Sequence, residues 1–106
     1  MDRIKKLKEF LEVDPNDSFV QHALALEYIK AEDDVTARRL FEEILQREPG
    51  YTGSYYHLAK LLERIGEANE AIKCYEKGME ESKKKGENHV YNELKSAYEE
   101  LNPLSP

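Results

Sequence analysis

The chain has no tryptophan, one cysteine, four prolines and five glycines in 106 residues, and no apolar run of membrane-spanning length. Each shortage removes a class of protein. Cys74 alone rules out an intramolecular disulfide and cannot build a thiolate zinc site. So few glycines and prolines exclude collagen-like and low-complexity segments and leave room for uninterrupted helices. Without about 20 consecutive apolar residues no transmembrane helix is predicted. The basic start Arg3-Ile4-Lys5-Lys6 leads into no apolar stretch of signal-peptide kind, so a cytoplasmic location is expected. The net charge of −6 opposes non-specific binding to phosphate backbones, and no nucleic-acid partner is expected. The one basic run, Lys83-Lys84-Lys85, precedes Gly86 and reads as a helix C-terminus, where carbonyl dipoles favour cations.

The constellations that carry chemistry are also missing. His22, His57 and His89 fall on different segments, none paired with another at metal-ligand spacing. No glycine-rich phosphate loop and no local Ser-His-Asp or Cys-His motif is found. Acidic pairs such as Glu42-Glu43, Glu80-Glu81 and Glu99-Glu100 are adjacent and point different ways around a helix, so they make poor acid–base dyads. An enzyme is not expected, and neither is a cofactor or metal.

What is present is helical periodicity. Six segments carry apolar residues at three- and four-residue steps: near 2–13, 17–30, 34–47, 52–64, 68–84 and 88–101. Ile4, Leu7, Phe10 and Leu11 share one face of the first segment, which Asp14-Pro15 ends. Asn16 or Asp17 can cap the second, and Asp33 or Asp34 the third. Pro49-Gly50, Gly66, Gly86 and Asn102-Pro103 close the others, and the tail 102–106 is expected to fray. Short connections make neighbouring helices antiparallel.

The segments also repeat. At a step of 34, Pro15 returns as Pro49, Leu24-Ala25 as Leu58-Ala59, Ala37 as Ala71 and Phe41 as Tyr75. Such a period marks stacked units, each burying its apolar face against its neighbours. Leu7, Phe10, Leu11 and Pro15 stand 34 before Phe41, Ile44, Leu45 and Pro49. After residue 85 the step slips to 36, so that Tyr91, Leu94 and Tyr98 answer Tyr55, Leu58 and Leu62.

This pattern of Leu-Ala, Tyr or Leu, Ala, Phe or Tyr, and Pro resembles the tetratricopeptide repeat. The resemblance implies an all-α fold of six helices, in antiparallel hairpins stacked as a short right-handed α-solenoid. On that alignment residues 1–15 are a half repeat, 16–49 and 50–85 two full repeats, and 87–101 a capping helix, together one domain. Lys95, where Ala25 and Ala59 stood, suits a last helix with no follower. Three departures stand out: Ile44 and Gly78 occupy a site usually held by Ala, Lys83 replaces the closing Pro, and Glu32 replaces the Gly seen at 66. On helix propensity alone, Gly78 costs roughly 1 kcal/mol relative to Ala.

The resemblance further implies a concave groove lined by the first helix of each repeat. Off the packing positions these helices carry Phe19, His22, Leu26 and Ile29, then Tyr56, Lys60 and Arg64. Leu26 and Ile29 are read two ways, as part of an exposed apolar patch with Phe19 or as covered packing residues. A subset of the family clamps the C-terminal carboxylate of chaperone peptides with Lys, Asn and Arg. The corresponding sites here hold His22, Leu26, His57, His89 and Glu93, so that clamp is not expected. The expected function is a non-catalytic protein-interaction module binding a peptide or helix. The alternative is a structural module that homodimerises through its apolar groove or terminal helices.

Overall fold

A computed structural model describes residues 2–102 and contains six α-helices, with no strand among the described residues. They are α1 (Arg3–Val13), α2 (Ser18–Lys30), α3 (Asp34–Arg47), α4 (Gly53–Arg64), α5 (Ala68–Lys84) and α6 (Asn88–Leu101). The all-α class and the six segments agree with the sequence reading. Of the frayed tail expected over 102–106, residues 103–106 lie outside the described residues.

Carboxylate caps start the first three helices. Asp2 accepts from the Ile4 N–H at 3.0 Å, and Asp17 from the Val20 N–H at 3.1 Å. Asp33 accepts from both the N–H and the hydroxyl of Thr36, at 3.1 and 2.8 Å. Asp17 and Asp33 are therefore the caps chosen from the alternatives Asn16 and Asp34. Loss of the Asp17 cap in Asp17→Ala is expected to cost about 1 kcal/mol, read from the shift in urea midpoint.

Two devices end the helices. At α1 and α3 the cap residues Asp14 and Glu48 leave the helical region (φ −136°, ψ 86° and φ −134°, ψ 81°), which the proline after each disfavours. At α2, α4 and α5 the chain turns left-handed at Glu32, Gly66 and Gly86 (φ 61°, 83° and 69°). Each turn carries the paired reverse hydrogen bonds of a Schellman motif, such as Asp33 N–H to Tyr28 C=O at 2.8 Å. Glu32 bears a Cβ in a conformation that costs L-residues roughly 1–2 kcal/mol. Because Gly66 fills the equivalent turn, Glu32→Gly is expected to raise stability by about 1 kcal/mol and so raise the melting temperature.

The chain divides into two compact units, residues 1–48 and 49–106. In the first, α2 packs against α1 on one side and α3 on the other. Leu7, Leu24, Ala25, Ala37, Leu40, Phe41 and Ile44 are buried there. A polar knot ties its helix ends: Ser18 donates to Glu48 at 2.6 Å, and Arg47 donates to Ser18 at 2.8 Å and to Gln21. In the second unit α5 packs against both α4 and α6, and α6 also reaches α4. Tyr55, Leu58, Ala59, Leu61, Leu62, Ala71, Tyr75, Leu94 and Ala97 are buried.

One packing assignment needs correction. Phe10, placed on the packing face of α1, is 60% exposed, whereas Ile44, 34 residues later, is fully buried. No helix covers α1 on that side among the described residues. The slip from 34 to 36 is accommodated by α5, which runs 17 residues against 14 for α3.

Candidate functional site

The candidate residues divide between the units. In the first, α2 presents Phe19, His22, Leu26 and Ile29 along one stripe, at steps of three or four. The buried residues of α2 are Ser18, Gln21, Leu24 and Ala25, of which Ala25 lies one turn from Ile29. Phe19 stands 74% exposed, while Leu26 and Ile29 are half-buried. The three are thus not equally presented. His22 leans inward, its ring edge-on to Phe41 of α3 at 5.6 Å between centroids. Burying one edge of an aromatic ring fixes its direction, so His22 is as much a packing residue as a lining one.

In the second unit, α4 carries Tyr56, Lys60 and Arg64, each one turn from the last. The Lys60 ammonium lies 5.8 Å from the Tyr56 ring centroid, within cation–π range. It also lies 3.7 Å from the Glu63 carboxylate. Glu63 accepts a hydrogen bond from the hydroxyl of Tyr75 on α5. Burial first, and the Glu63 charge beside it, hold the Tyr75 hydroxyl protonated far above its ordinary range. Tyr56 is thereby held by Lys60, Lys60 by Glu63, and Glu63 by a buried tyrosine. Arg64, at the exposed last turn of α4, extends the cationic side of this stripe.

His57, beside Tyr56 and edge-on to it at 5.7 Å, is half-buried. Desolvation lowers its pKa, and the nearby Glu93 carboxylate on α6 opposes that more weakly. The depressed folded value means that the unfolded chain binds more protons below about pH 6.5. Stability is therefore full above the unfolded pKa and is lost as pH falls through the folded one. Between pH 7.5 and pH 5, above the range of most carboxylates, the melting temperature is expected to drop less in His57→Gln than in the wild type.

Two features were not read from the sequence, one contact and one exposure. The Tyr75–Glu63 bond joins positions 12 apart whose counterparts in the preceding repeat are Phe41 and Ile29, both apolar. A hydroxyl and a carboxylate replacing two apolar groups at matched positions was the available signal. The exposure of Phe10 and Val13 on α1 was the other. Among the described residues no group of three His, Cys, Asp or Glu side chains could hold a metal, and no helix is long and apolar enough to cross a membrane.

Residues 28–97 match the family model described as tetratricopeptide repeat. A tetratricopeptide repeat domain protein from Salinibacter ruber, solved in solution, is 38% identical over 87% of this chain and 93% of that one, with a TM-score of 0.81. A protein from Bordetella parapertussis shares 20% identity over 97% of this chain and 90% of its own, with a TM-score of 0.83. The TPR2B domain of yeast Sti1, solved in complex with pHsp70, shares 14% over 96% and 82%, with a TM-score of 0.86. These last two likenesses are of fold.

Proposed function

The chain belongs to the tetratricopeptide repeat family, whose members generally mediate protein–protein interaction, and from that premise we propose a non-catalytic module that binds a peptide or helix. Each unit offers its own candidate face: the α2 stripe in the first and the α4 stripe in the second. The observation that carries the reading is Phe19, a large aromatic ring left 74% in water in the first turn of α2. An exposed ring at a repeat position not needed for packing supplies an anchor of the kind that dominates binding energy. On α4, Tyr56 with Lys60 and Arg64 offers an amphipathic ring beside cations, suited to a carboxylate-bearing segment. Binding requires no metal or cofactor in this reading. The partner is a protein or peptide, identified by capture rather than by the scaffold.

The test is affinity capture with mass spectrometry, using wild type and a Phe19→Ala/Tyr56→Ala variant whose helicity and melting are checked first. The variant is expected to lose the partners that the wild type retains. Equal capture by a folded variant would overturn the assignment of these faces.

A further inference from the structure

A polar cleft opens in the first unit, where the α1–α2 connection passes the end of α3. Pro15, Asn16, Gln21, Glu43, Gln46 and Arg47 line it, around a volume of about 480 Å³. Asn16 and Gln46 are exposed, whereas Gln21 keeps only 5% of its surface in water. A glutamine this deep ordinarily has both ends of its amide engaged. Here the oxygen accepts from Arg47 Nη2, while the nitrogen, with two N–H donors, has no hydrogen-bond partner among the described residues. A guanidinium can meet only the oxygen, so the Arg47 bond fixes which end of the amide points where. No side-chain nitrogen or oxygen sealed from solvent lacks a partner among the described residues. The Gln21 amide nitrogen is therefore not sealed, and it opens onto the cleft that Gln21 lines.

Arg47 adds donors beside it. Its Nη2 is taken by Ser18, at 2.8 Å, and by Gln21, while Nε and Nη1 have no partner among the described residues. The deep wall thus holds donors alone and calls for an acceptor oxygen. Asn16 and Gln46, whose amides also lack partners among the described residues, offer both donors and acceptors.

Charge decides which kind of oxygen. Arg47 is the cation of the lining and Glu43 its carboxylate. Glu43 pairs with Arg39 at 2.9 Å, and Glu48 shares the Ser18 hydroxyl with Arg47. These four charges cancel, and Asp14 and Asp17 flank Pro15 and Asn16 in the chain. An anion is offered no net attraction. A neutral carbonyl meets the same donors without opposition, and an amide N–H next to it can donate to the oxygen of Asn16 or Gln46.

We propose that this cleft binds the main chain of a peptide segment. One carbonyl accepts from the Gln21 amide and Arg47, and a neighbouring N–H donates to Asn16 or Gln46. Main-chain contacts of this kind add affinity and leave the choice of side chains to other surfaces. None of the six lining residues belongs to the α2 stripe of Phe19, His22, Leu26 and Ile29 or to the α4 stripe, so the site stands or falls apart from the groove reading.

The probe is acetyl-triglycine N-methylamide, which offers main-chain amides with no side chain, charge or primary amide. It is titrated into the isotope-labelled full chain, and NMR reads the side-chain amides of Asn16, Gln21 and Gln46 and the Nε–H of Arg47. A saturable shift centred on these groups is expected, with a Kd on the order of 1–10 mM for so small a ligand. Gln21→Glu keeps the oxygen that Arg47 holds and removes the donors. It is expected to weaken binding about tenfold or more, read at Gln46 and Arg47. Should that variant disturb folding, Gln46→Ala, at an exposed position outside the Ser18–Arg47 knot, is expected to weaken binding several-fold. Phe19→Ala/Tyr56→Ala is expected to leave it unchanged.

No saturable shift at the Gln21 amide would overturn the site, as would undiminished binding by a folded Gln21→Glu or Gln46→Ala variant. A stronger response to acetate or inorganic phosphate would overturn the charge argument and make this an anion site. A response to acetamide equal to that of the peptide would overturn the main chain as occupant in favour of an asparagine or glutamine side chain.

Discussion

Gly78→Ala is expected to destabilise the α4–α6 unit, and Gly78→Ile to prevent it from packing. Helix propensity argues the reverse, since alanine is favoured over glycine by about 1 kcal/mol inside a helix. Packing decides the sign. A Cβ built on Gly78 would stand 2.7 Å from the Tyr55 Cβ, 2.8 Å from its Cγ and 2.9 Å from the Leu94 Cδ1. Leu94 Cδ1 is the tip of a side chain and can move a little. The Tyr55 atoms cannot, because they sit at the root of a ring that is itself buried and whose hydroxyl donates to the Pro49 carbonyl at 2.6 Å. Either α5 moves away from α4 and α6, or Tyr55 leaves its rotamer. Overpacking of this kind costs about 1–3 kcal/mol, and the absence of slack beside Tyr55 puts it at the upper end. After the propensity gain, Gly78→Ala should lose about 1–2 kcal/mol. Isoleucine, the residue at the matching position 44, should lose well over about 3 kcal/mol and leave the unit without cooperative unfolding. Denaturant midpoints at constant m-value measure the first, and loss of a sigmoidal transition the second. An alanine variant more stable than wild type would refute the close approach.

Gly78 also marks how far the sequence could be read. Helix ends were legible because their causes are local: a carboxylate at Asp17 or Asp33, a proline after Asp14 or Glu48, a glycine at 66 or 86. Each acts within four residues of itself. The small residues Ala25, Ala37, Ala59 and Ala71 were legible as close-approach sites because the 34-residue step duplicates them, and all four are fully buried. Gly78 replaces an isoleucine one repeat earlier, so the period gave no guide to it. Its role depends on the direction of Tyr55 and the reach of Leu94 from another helix. Phe10 failed in the opposite way. Its period matched Ile44, but burial depends on whether a helix lies across the position, and none does on that side of α1 among the described residues.

The candidate site was legible by subtraction, as what the repeat does not use, and subtraction weakens where one residue serves two purposes. His22 belongs to the α2 stripe and also meets the Phe41 ring. Lys60 belongs to the α4 stripe and is tied through Glu63 to buried Tyr75. Phe19 remains a candidate, since it lies in the first turn of its helix and stays largely in water.

Phe41→Ala is expected to cost the α1–α3 unit about 3–5 kcal/mol, which for a domain whose total stability is of order 5–15 kcal/mol leaves a large unfolded population at 37 °C. Phe41 is fully buried, as are its neighbours along α3, Ala37 and Ile44. Truncation removes the ring that meets His22 edge-on, so it leaves a cavity and ends that ring contact together. Phe41→Tyr separates ring from hydroxyl. The matching Tyr75 keeps its hydroxyl satisfied by Glu63, but the position matching Glu63 is Ile29, which can accept no hydrogen bond. The added hydroxyl is therefore expected to cost about 1–3 kcal/mol as an unpaired buried donor. Adding Ile29→Glu to Phe41→Tyr transplants the pair, and the double variant should recover part of that loss although Ile29→Glu alone gains nothing. A double-mutant cycle read from urea midpoints gives the coupling directly. A favourable coupling makes Ile29 the apolar counterpart of Glu63 in one repeated packing contact, and takes it off the proposed binding stripe of α2. Zero coupling leaves Ile29 in the proposed binding stripe with Phe19 and Leu26.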